Sequence, residues 1–333
     1  MTGRRHAAVA GTGSSLPERV VSNDFFESLQ TSDEWIRERT GIIQRRFAAD
    51  GEVTSDLAAA AARRALEAAG IAPEHVDLIV LGTLSPDTPI PSTAVWVQRK
   101  LGISCPAFDV NAACAGFSYA MSTATAFVES GAAETVLVIG AEVLSRVLDM
   151  TDRGTCILFG DGAGALVLRP SDEPGVIGSV LGADGTAAEI LIIPAGGTLH
   201  PASVETVAAR DHNIRMNGRE VFKRAVVEMA GACAELLEKS GYTADDVDLL
   251  IPHQANARIM NAVADRLGIT GDRAVVDVAD VGNTSAASIP IALDRAWHAG
   301  RVRPGSLVLL TSFGAGLAWG ANLVRWTGPE RAA

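Results

Sequence analysis

The chain has 333 residues, a mean hydropathy of +0.22 and 48% hydrophobic residues, so it is a folded globular protein with room for more than one domain. This composition excludes a disordered chain, which would be poor in apolar residues. The formal net charge of −11 argues against a nucleic-acid-binding protein, which would carry a surplus of Lys and Arg.

The four cysteines predict neither a zinc site nor a disulfide scaffold. No two of them have the C-x-x-C spacing and no His cluster accompanies them, so we expect no metal site. Four cysteines in a chain of this length are typical of a reduced, cytoplasmic protein. The apolar run of residues 7–10 is too short for the core of a signal peptide, and no run reaches the length of a membrane span. We therefore expect a cytoplasmic protein that does not span a membrane.

The first half of the chain alternates helix-forming and strand-forming segments. Residues 31–34 resemble a capping box that opens a short helix carrying Trp35 and Arg39. Residues 55–69 are rich in Ala and predict a helix that ends at Gly70, a favourable residue after a helix end. Apolar runs predict buried strands at residues 76–82, 135–139 and 165–168.

The second half repeats this order, with a helix predicted at residues 224–239 and ending near Gly241. Short segments of the first half recur in the second half in the same sequence, which indicates an internal duplication: 76–80 at 247–251, 136–139 at 307–310, and 164–167 at 320–323. Alternating strands and helices in two similar halves predict an α/β architecture.

A polar, Pro-bounded segment at residues 170–174 predicts the link between the two halves. We therefore divide the chain into an N-terminal half, residues 1–172, and a C-terminal half, residues 173–333.

The segment around Cys114 is the most informative part of the chain. A short apolar, strand-like run precedes it, and residues 115–128 predict a buried helix rich in small residues. The thiol is therefore predicted at a strand-to-helix turn, where the helix dipole and free N–H groups favour the nucleophilic thiolate. A buried core cysteine is the alternative interpretation of this segment.

Two other segments place polar side chains among apolar neighbours. His253 lies just past a predicted strand, where α/β folds place their sites, and Asn283 lies in a Gly-led turn before an apolar helix. Taken alone, each is more simply a hydrogen-bonded structural residue. Together with Cys114 they supply a nucleophile and two hydrogen-bond donors for a developing oxyanion, so the set favours a catalytic function.

Cys114, His253 and Asn283 together resemble the Cys-His-Asn set of the β-ketoacyl-acyl carrier protein synthase III family, which belongs to the thiolase-like condensing enzymes. The resemblance runs from about Gly11 to Trp326 and includes further segments at 32–36, 39–42, 152–155, 159–164 and 312–316. It implies a thiolase-like α/β fold with two duplicated halves in five αβαβα layers.

The resemblance also implies a role for each central residue. Cys114 would attack an acyl-CoA thioester and become acylated, while the backbone N–H groups of Cys114 and Ala315 hold the oxyanion. His253 and Asn283 would hold the enolate oxygen formed when malonyl-acyl carrier protein loses carbon dioxide. The enolate carbon would then attack the acyl-Cys114 thioester and prime fatty-acid or polyketide synthesis. Phe313 would line the pocket, and the reaction would need no cofactor, because acyl-CoA is a substrate.

The resemblance also implies binding roles for residues outside this centre. Arg side chains and an indole face suit phosphate and adenine, so the resemblance implies CoA binding by Trp35, Arg39 and Arg153. Basic side chains attract an acidic carrier protein, and the residues implied for that contact are Lys223, Arg224 and Arg258.

Two departures from the family pattern concern the pocket. Ala315 stands where the family commonly has a glycine, and a backbone donor tolerates this change if φ is negative. Ile90 occupies the position that caps the acyl pocket across the interface of a homodimer. It is smaller than the Phe often present there, which implies room for a primer longer than acetyl.

Three other functions compete with condensation. An acyltransferase on the same fold would move the acyl group from Cys114 to a hydroxyl or amine. A noncatalytic binding subunit would be expected to lack Cys114, which is present. A dinucleotide enzyme is disfavoured because the Gly-rich segments 11–13 and 160–164 lack the full G-x-G-x-x-G pattern.

Overall fold

The structure is a computed structural model that describes residues 5–329, so the outermost ends of the two predicted halves, 1–4 and 330–333, lie outside the described residues. Its strands in chain order are β1 (His6–Ser15), β2 (Arg19–Ser22), β3 (Gln44–Phe47), β4 (Leu78–Gly82), β5 (Ala107–Val110), β6 (Val136–Glu142), β7 (Gly162–Ser171), β8 (Val176–Ala183), β9 (Leu191–Ile192), β10 (Arg215–Met216), β11 (Leu249–Pro252), β12 (Leu307–Gly314) and β13 (Ala318–Arg325).

The α-helices in chain order are α1 (Asp33–Thr40), α2 (Thr54–Ala69), α3 (Thr93–Leu101), α4 (Gly116–Glu129), α5 (Val204–Ala208), α6 (Gly218–Ser240), α7 (Ala257–Leu267) and α8 (Ser288–His298). Short 3-10 turns, Ala113–Ala115 and Ser285–Ala287, lead directly into α4 and α8. Within residues 5–329, no helix combines the length and the apolar character needed to cross a membrane.

Two sheets repeat one plan. The first has the order β1-β7-β6-β4-β5 and the second has the order β8-β13-β12-β11. In the first sheet β6, β4 and β5 are parallel to one another, and in the second sheet β12 and β11 are parallel. The other neighbouring strands are antiparallel in both sheets. The counterpart of β5 is a single parallel bridge between Leu250 and Ala274. This repetition confirms the predicted duplication.

The helices complete five layers. Helices α4 and α8 lie between the two sheets, and the largest buried cluster joins their side chains to strands of both sheets. Helices α2 and α3 cover the outer face of the first sheet, and α6 and α7 cover the outer face of the second. The αβαβα arrangement is therefore the one that the resemblance implied.

Glycines bring the middle layer close to the first sheet. A Cβ at Gly82 would come within 2.6 Å of the carbonyl carbon of Gly116, and one at Gly140 would overlap the carbonyl oxygen of Ala286. Because backbone atoms cannot move aside as side chains can, larger residues there would displace the turns that precede α4 and α8.

Most predicted elements are confirmed, and their ends differ for local reasons. The predicted helix at 55–69 is α2, and Gly70 follows it with a left-handed φ of 64°. Helix α6 begins six residues before the predicted start at 224, because the side chain of Asn217 caps it by accepting from the Glu220 N–H.

Two local predictions are wrong. Residues 31–34 form no capping box: Ser32 alone caps α1 by accepting from the Trp35 N–H, and Thr31 donates to the Phe26 carbonyl instead. The predicted linker is partly strand, because β7 continues through Ser171 and pairs with β1. The division between residues 172 and 173 lies in the turn between β7 and β8 and stays a prediction.

Candidate active site

Cys114, His253 and Asn283 lie at the edge of the sheets where the parallel strands end. The turn with Cys114 follows β5, and His253 follows β11. Asn283 lies in the turn before α8, which the middle layer brings to the same edge. A cavity of about 220 Å³ is lined by Cys114, His253, Asn283 and Phe313 together. The structure therefore joins residues from both halves in one site.

The Cys114 thiol is buried at the strand-to-helix junction. Burial raises its pKa to about 12, although the Ser285 hydroxyl works in the opposite direction, and the charge of Glu142 adds to the rise. Loss of hydration therefore opposes the helix N-terminus, which by itself favours the thiolate. The thiolate is the nucleophilic form, so the thiol has to lose its proton before or during attack.

The loop after β12 passes against the backbone of Cys114. A Cβ at Gly314 would come within 2.6 Å of the Cys114 nitrogen, so only glycine fits at this close approach. Ala315 is not among the residues with positive φ, which explains why its methyl group is accommodated. The contact places Ala315 beside the nucleophile.

His253 is a buried neutral imidazole. Its Nδ1 lies 2.6 Å from Ser288 Oγ, which also accepts from the Gln254 N–H at 3.3 Å. Burial lowers the pKa of His253 to about 4, so the ring carries no charge at neutral pH. A Ser288 hydroxyl that donates to Nδ1 leaves the proton on Nε2, where it can be donated into the cavity.

Asn283 is oriented by its own turn. Its Oδ1 accepts from the Ser285 N–H at 2.9 Å, and its backbone bonds to Leu158 and Gly160 on the neighbouring segment. Since Oδ1 is occupied, the amide Nδ2 is left as a donor, and no hydrogen bond between described residues uses it. His253 and Asn283 thus offer two neutral donors to a developing negative charge.

A second, larger cavity meets the first at the nucleophile. It has a volume of about 560 Å³ and includes Cys114 and Ala315 in its wall. The rest of the wall is mainly apolar, with Leu84, Phe159, Ala188, Leu191, Ile193 and Ile214. Cys114 therefore belongs to the walls of two mainly apolar cavities, and the first of these also contains His253 and Asn283.

The three residues carried over for CoA binding form one cluster. The Arg39 guanidinium carbon lies 4.2 Å from the centroid of the Trp35 ring, and that of Arg153 lies 5.5 Å from it. Both arginines are exposed, and Arg39 also lines the cavity that contains Cys114. The cluster thus forms a cationic, aromatic surface at the cavity's entrance.

The three basic residues that the resemblance implies for carrier-protein binding differ in exposure and in ion pairing. Lys223 on α6 and Arg258 on α7 are exposed, and their helices pack together. Arg224 donates to Asp184 at 2.7 Å and is only partly exposed. Lys223 and Arg258 are therefore the cations that remain free to meet an acidic partner.

Ile90 lies apart from both cavities. Its side chain is 87% exposed in the single chain, and it belongs to neither cavity wall. Its predicted contribution to the acyl pocket depends on a second copy of the chain.

Several site residues were not singled out from the sequence. Ser288 holds His253, Ser285 lies beside the thiol, and Glu142 is a buried carboxyl group near both turns. Glu142 had one visible signal: it is an acidic residue at the end of an otherwise apolar strand. The two serines had none, because their importance lies in contacts with residues distant in sequence.

Comparison with known proteins agrees with this geometry. The family model described as 3-oxoacyl-[acyl-carrier-protein (ACP)] synthase III matches residues 108–185, and the model of its C-terminal part matches residues 237–326. The β-ketoacyl-[acyl-carrier-protein] synthase III of Caldanaerobacter subterraneus is 49% identical over 324 residues, which is 96% of this chain and 98% of that protein. The chain belongs to the β-ketoacyl-[acyl-carrier-protein] synthase III family.

Further relatives agree in sequence and in fold. The synthase III of Xanthomonas oryzae is 50% identical over 98% of this chain and 100% of that protein. The crystal structure of the Aquifex aeolicus synthase III superposes with a TM-score of 0.88, at 46% identity and with 96% and 100% of the two chains covered. A priming β-ketosynthase from a polyketide biosynthetic pathway superposes with a TM-score of 0.91, at 39% identity and with 98% of each chain covered. As a member of the synthase III family, the protein is a condensing enzyme of the acyltransferase class that primes fatty-acid or polyketide synthesis.

Proposed function

We propose that the protein transfers a short acyl group from acyl-CoA to Cys114 and condenses it with malonyl-acyl carrier protein, with loss of carbon dioxide. The observation that carries this proposal is the cavity shared by Cys114, His253 and Asn283. It brings a nucleophile from one half of the chain against two neutral donors from the other half.

In the first half-reaction, Cys114 sulfur bonds to the carbonyl carbon of acyl-CoA and the bond from that carbon to the CoA sulfur breaks. The backbone N–H groups of Cys114 and Ala315 hold the oxyanion. The cluster of Trp35, Arg39 and Arg153 binds the nucleotide part of CoA, since guanidinium groups pair with phosphates and an indole stacks on adenine.

In the second half-reaction, the malonyl group loses carbon dioxide and leaves an enolate. The Nε2 proton of His253 and the Nδ2 protons of Asn283 stabilise its oxygen, and both donors are fixed before the charge develops. The enolate carbon then attacks the acyl-Cys114 thioester. Decarboxylation generates the carbanion, so the step needs oxyanion donors and no metal, redox cofactor or carboxylate base.

The primer is longer than acetyl. The apolar cavity of about 560 Å³ beside Cys114 supports this proposal, as does the small Ala188 in its wall. In the proposed homodimer, Ile90 of one copy caps the acyl pocket of the other. Each additional buried CH₂ stabilises binding by about 0.8 kcal/mol where there is space.

The acidic carrier protein docks on Lys223 and Arg258, near the cavity entrance. Arg224 contributes less than the sequence implied, because Asp184 already neutralises it. Charges at the edge of an interface mainly raise the rate of association, and salt screens this effect.

The proposed setting of the protein is the cytoplasm, and we expect neither membrane nor nucleic-acid partners. The proposed boundary between the two halves of the chain lies between residues 172 and 173.

The test combines two measurements on the full chain. Intact mass after mixing with acetyl-, propionyl-, butyryl- and isobutyryl-CoA should show acyl-Cys114, with higher kcat/KM for the longer primers and a shift toward acetyl in Ile90→Phe. Carbon dioxide release from malonyl-carrier should accompany formation of the 3-ketoacyl product. Acyl transfer to an alcohol or amine without carbon dioxide release would instead identify a plain acyltransferase.

A charge reversal at Arg258 tests the docking site. Arg258→Glu should raise the KM for malonyl-carrier and leave self-acylation nearly unchanged, because the residue lies outside the cavity wall. An equal effect on both half-reactions would place Arg258 in the CoA site.

A further inference from the structure

A buried cation lies close to the turn that holds Asn283. Arg45, in β3, is fully buried, and within residues 5–329 every acceptor of its guanidinium group is uncharged. Nη1 donates to the Val21 carbonyl at 3.1 Å, and Nη2 donates to Asn23 Oδ1 at 2.9 Å and to the Ile157 carbonyl at 2.6 Å. Burying a cation without an anion is costly, so the geometry of these hydrogen bonds is what distinguishes Arg45.

The carbonyl that Arg45 holds belongs to the segment that pairs with Asn283. Ile157 directly precedes Leu158, and the Leu158 carbonyl accepts from the Asn283 N–H at 2.8 Å. Two residues further on, the Gly160 N–H donates to the Asn283 carbonyl at 2.9 Å. The backbone of Asn283 therefore lies where this segment places it.

The aliphatic part of Arg45 packs against two glycines of the same pairing. A Cβ at Gly160 would lie 3.1 Å from Arg45 Cβ, and one at Gly282, the residue before Asn283, would lie 3.0 Å from it. Because protein interiors are close-packed, a side chain of another shape at position 45 would let the turn shift. Arg45 thus supports the turn of Asn283 with its stem as well as with its guanidinium group.

Asn23 fixes the other side of the guanidinium group. While its Oδ1 accepts from Arg45, its Nδ2 donates to Asp33 Oδ1 and to the Ile42 carbonyl, each at 2.8 Å. Asp33 is the first residue of α1, the helix that carries part of the proposed CoA-binding cluster. Arg45 therefore connects α1 and the β2–β3 pair to the segment that holds Asn283.

The second half-reaction depends on the place of the Asn283 amide. Its Oδ1 is occupied by the Ser285 N–H, so the position of the backbone decides where Nδ2 can donate. A donor stabilises a developing charge only if it is already aimed at the place where that charge forms. A displacement of about 1 Å can lower a rate by about 10²-fold.

We propose that Arg45 is a positioning residue for the second half-reaction: by holding the Ile157 carbonyl, it sets the place of the Asn283 amide that donates to the enolate oxygen. This inference rests on the proposed function. Arg45 itself lies in neither cavity wall. Its effect should appear in the loss of carbon dioxide and not in self-acylation, which uses the N–H groups of Cys114 and Ala315.

The experiment measures two rates on the full chain: carbon dioxide release from saturating malonyl-CoA and single-turnover acylation by saturating propionyl-CoA. Arg45→Lys keeps the charge but replaces two donating nitrogens by one, so it cannot hold both sides of the connection. It should slow carbon dioxide release by about 10-fold or more and leave acylation within about two-fold.

The neighbouring arginine of β3 provides a matched control. Arg46 donates to the carbonyls of Pro17 and Glu18 and to no group of the segment that pairs with Asn283. Arg46→Lys should therefore keep both rates. Equal losses of carbon dioxide release in Arg45→Lys and Arg46→Lys would overturn the inference, and so would equal losses of the two rates in Arg45→Lys.

A double variant separates positioning from a loss of stability. Asn283→Ala removes the donor itself, so adding Arg45→Lys should slow carbon dioxide release no further, because the two residues act as one unit. The lower Tm expected for Arg45→Lys should persist in the double variant. A further loss of carbon dioxide release of about 10-fold in that background would overturn the inference.

A second variant decides if Arg45→Lys does not fold. Asn23→Ala keeps Arg45 and removes the acceptor that orients its guanidinium group. It should slow carbon dioxide release several-fold and leave acylation unchanged, and unchanged carbon dioxide release would overturn the inference. Failure of the unmodified protein to release carbon dioxide from a malonyl thioester would instead overturn the proposed function.

Discussion

The turn before α4 and the turn before α8 have the same backbone and different chemistry. Each begins with an asparagine whose Oδ1 accepts from the N–H two residues later, at 3.3 Å for Asn111 and 2.9 Å for Asn283. In each, that second residue has a left-handed φ, 46° for Ala113 and 49° for Ser285. Both turns then enter a helix of the middle layer.

The side chains divide the work between the two turns. The position that holds Cys114 in the first turn holds Ala286 in the second. Conversely, the second turn buries Asn283 and a hydroxyl, whereas Asn111 is exposed in the first. The duplication therefore supplied one backbone device twice, and single side chains made one copy nucleophilic and the other an oxyanion site.

The largest effect should come from making the first turn like the second. Cys114→Ala places alanine at both positions and removes the sulfur, so no acyl mass should appear on the protein and condensation should be lost. Cys105→Ala, Cys156→Ala and Cys233→Ala should keep both activities. Acyl mass persisting on Cys114→Ala would falsify the assignment of the nucleophile.

The two asparagines provide a matched pair for the second effect. Asn283→Ala removes a buried donor, and loss of one such donor typically costs about 2.7–4 kcal/mol, or about 10²–10³ in rate. Carbon dioxide release from malonyl-carrier should fall by this amount, in Asn283→Ala and in His253→Ala, while acylation persists. Asn111→Ala should leave carbon dioxide release nearly unchanged. Equal losses in the two asparagine variants would remove the functional distinction between the turns.

The titratable groups beside the two turns respond oppositely to pH. Burial raises the pKa of Glu142 from 4.5 to about 7, so the folded state binds the extra proton and stability falls as the pH rises from 4.5 through 7. Burial lowers the pKa of His253 from 6.5 to about 4, so stability falls as the pH drops from 6.5 to 4.

Urea unfolding at pH 5 and pH 8 isolates the Glu142 effect. The stability of the unmodified protein relative to Glu142→Gln should decrease by about 2–3 kcal/mol between these values, because the His253 contribution cancels in the difference. A difference that does not change with pH would show that Glu142 is not a buried titrating acid.

The smallest effect concerns the loop after β12, which passes against the turn that holds Cys114. Gly314→Ala places a methyl group against the Cys114 nitrogen and should destabilise the protein by about 1–3 kcal/mol while slowing acylation. Ala315→Gly, one residue later, should keep acylation, because the donor there is a backbone N–H. Thermal unfolding and intact mass measure both effects, and an unaffected Gly314→Ala would contradict the close approach.

Much of the fold could be predicted from local patterns. The helix at 55–69 and the strands at 76–82 and 307–310 were visible because apolar periodicity and a terminal glycine are written in neighbouring residues. The start of α6 and the end of β7 were missed because they depend on one capping side chain and on pairing with the first strand. The family resemblance named Cys114, His253 and Asn283 as a set, and the structure places all three in the wall of one cavity. Ser285, Ser288 and Glu142 were not singled out.

By itself the sequence determined the fold class, the duplication and the identity of the three central side chains, because these are carried by composition, periodicity and motifs. Only the tertiary structure decided their chemical state. Burial made the Cys114 thiol a weak acid, kept His253 neutral and raised the pKa of Glu142, and each shift arises from water excluded by residues distant in the chain. The same packing brought the turns of both halves together, because Gly82 and Gly140 of the first sheet allow the backbone of Gly116 and Ala286 to approach closely.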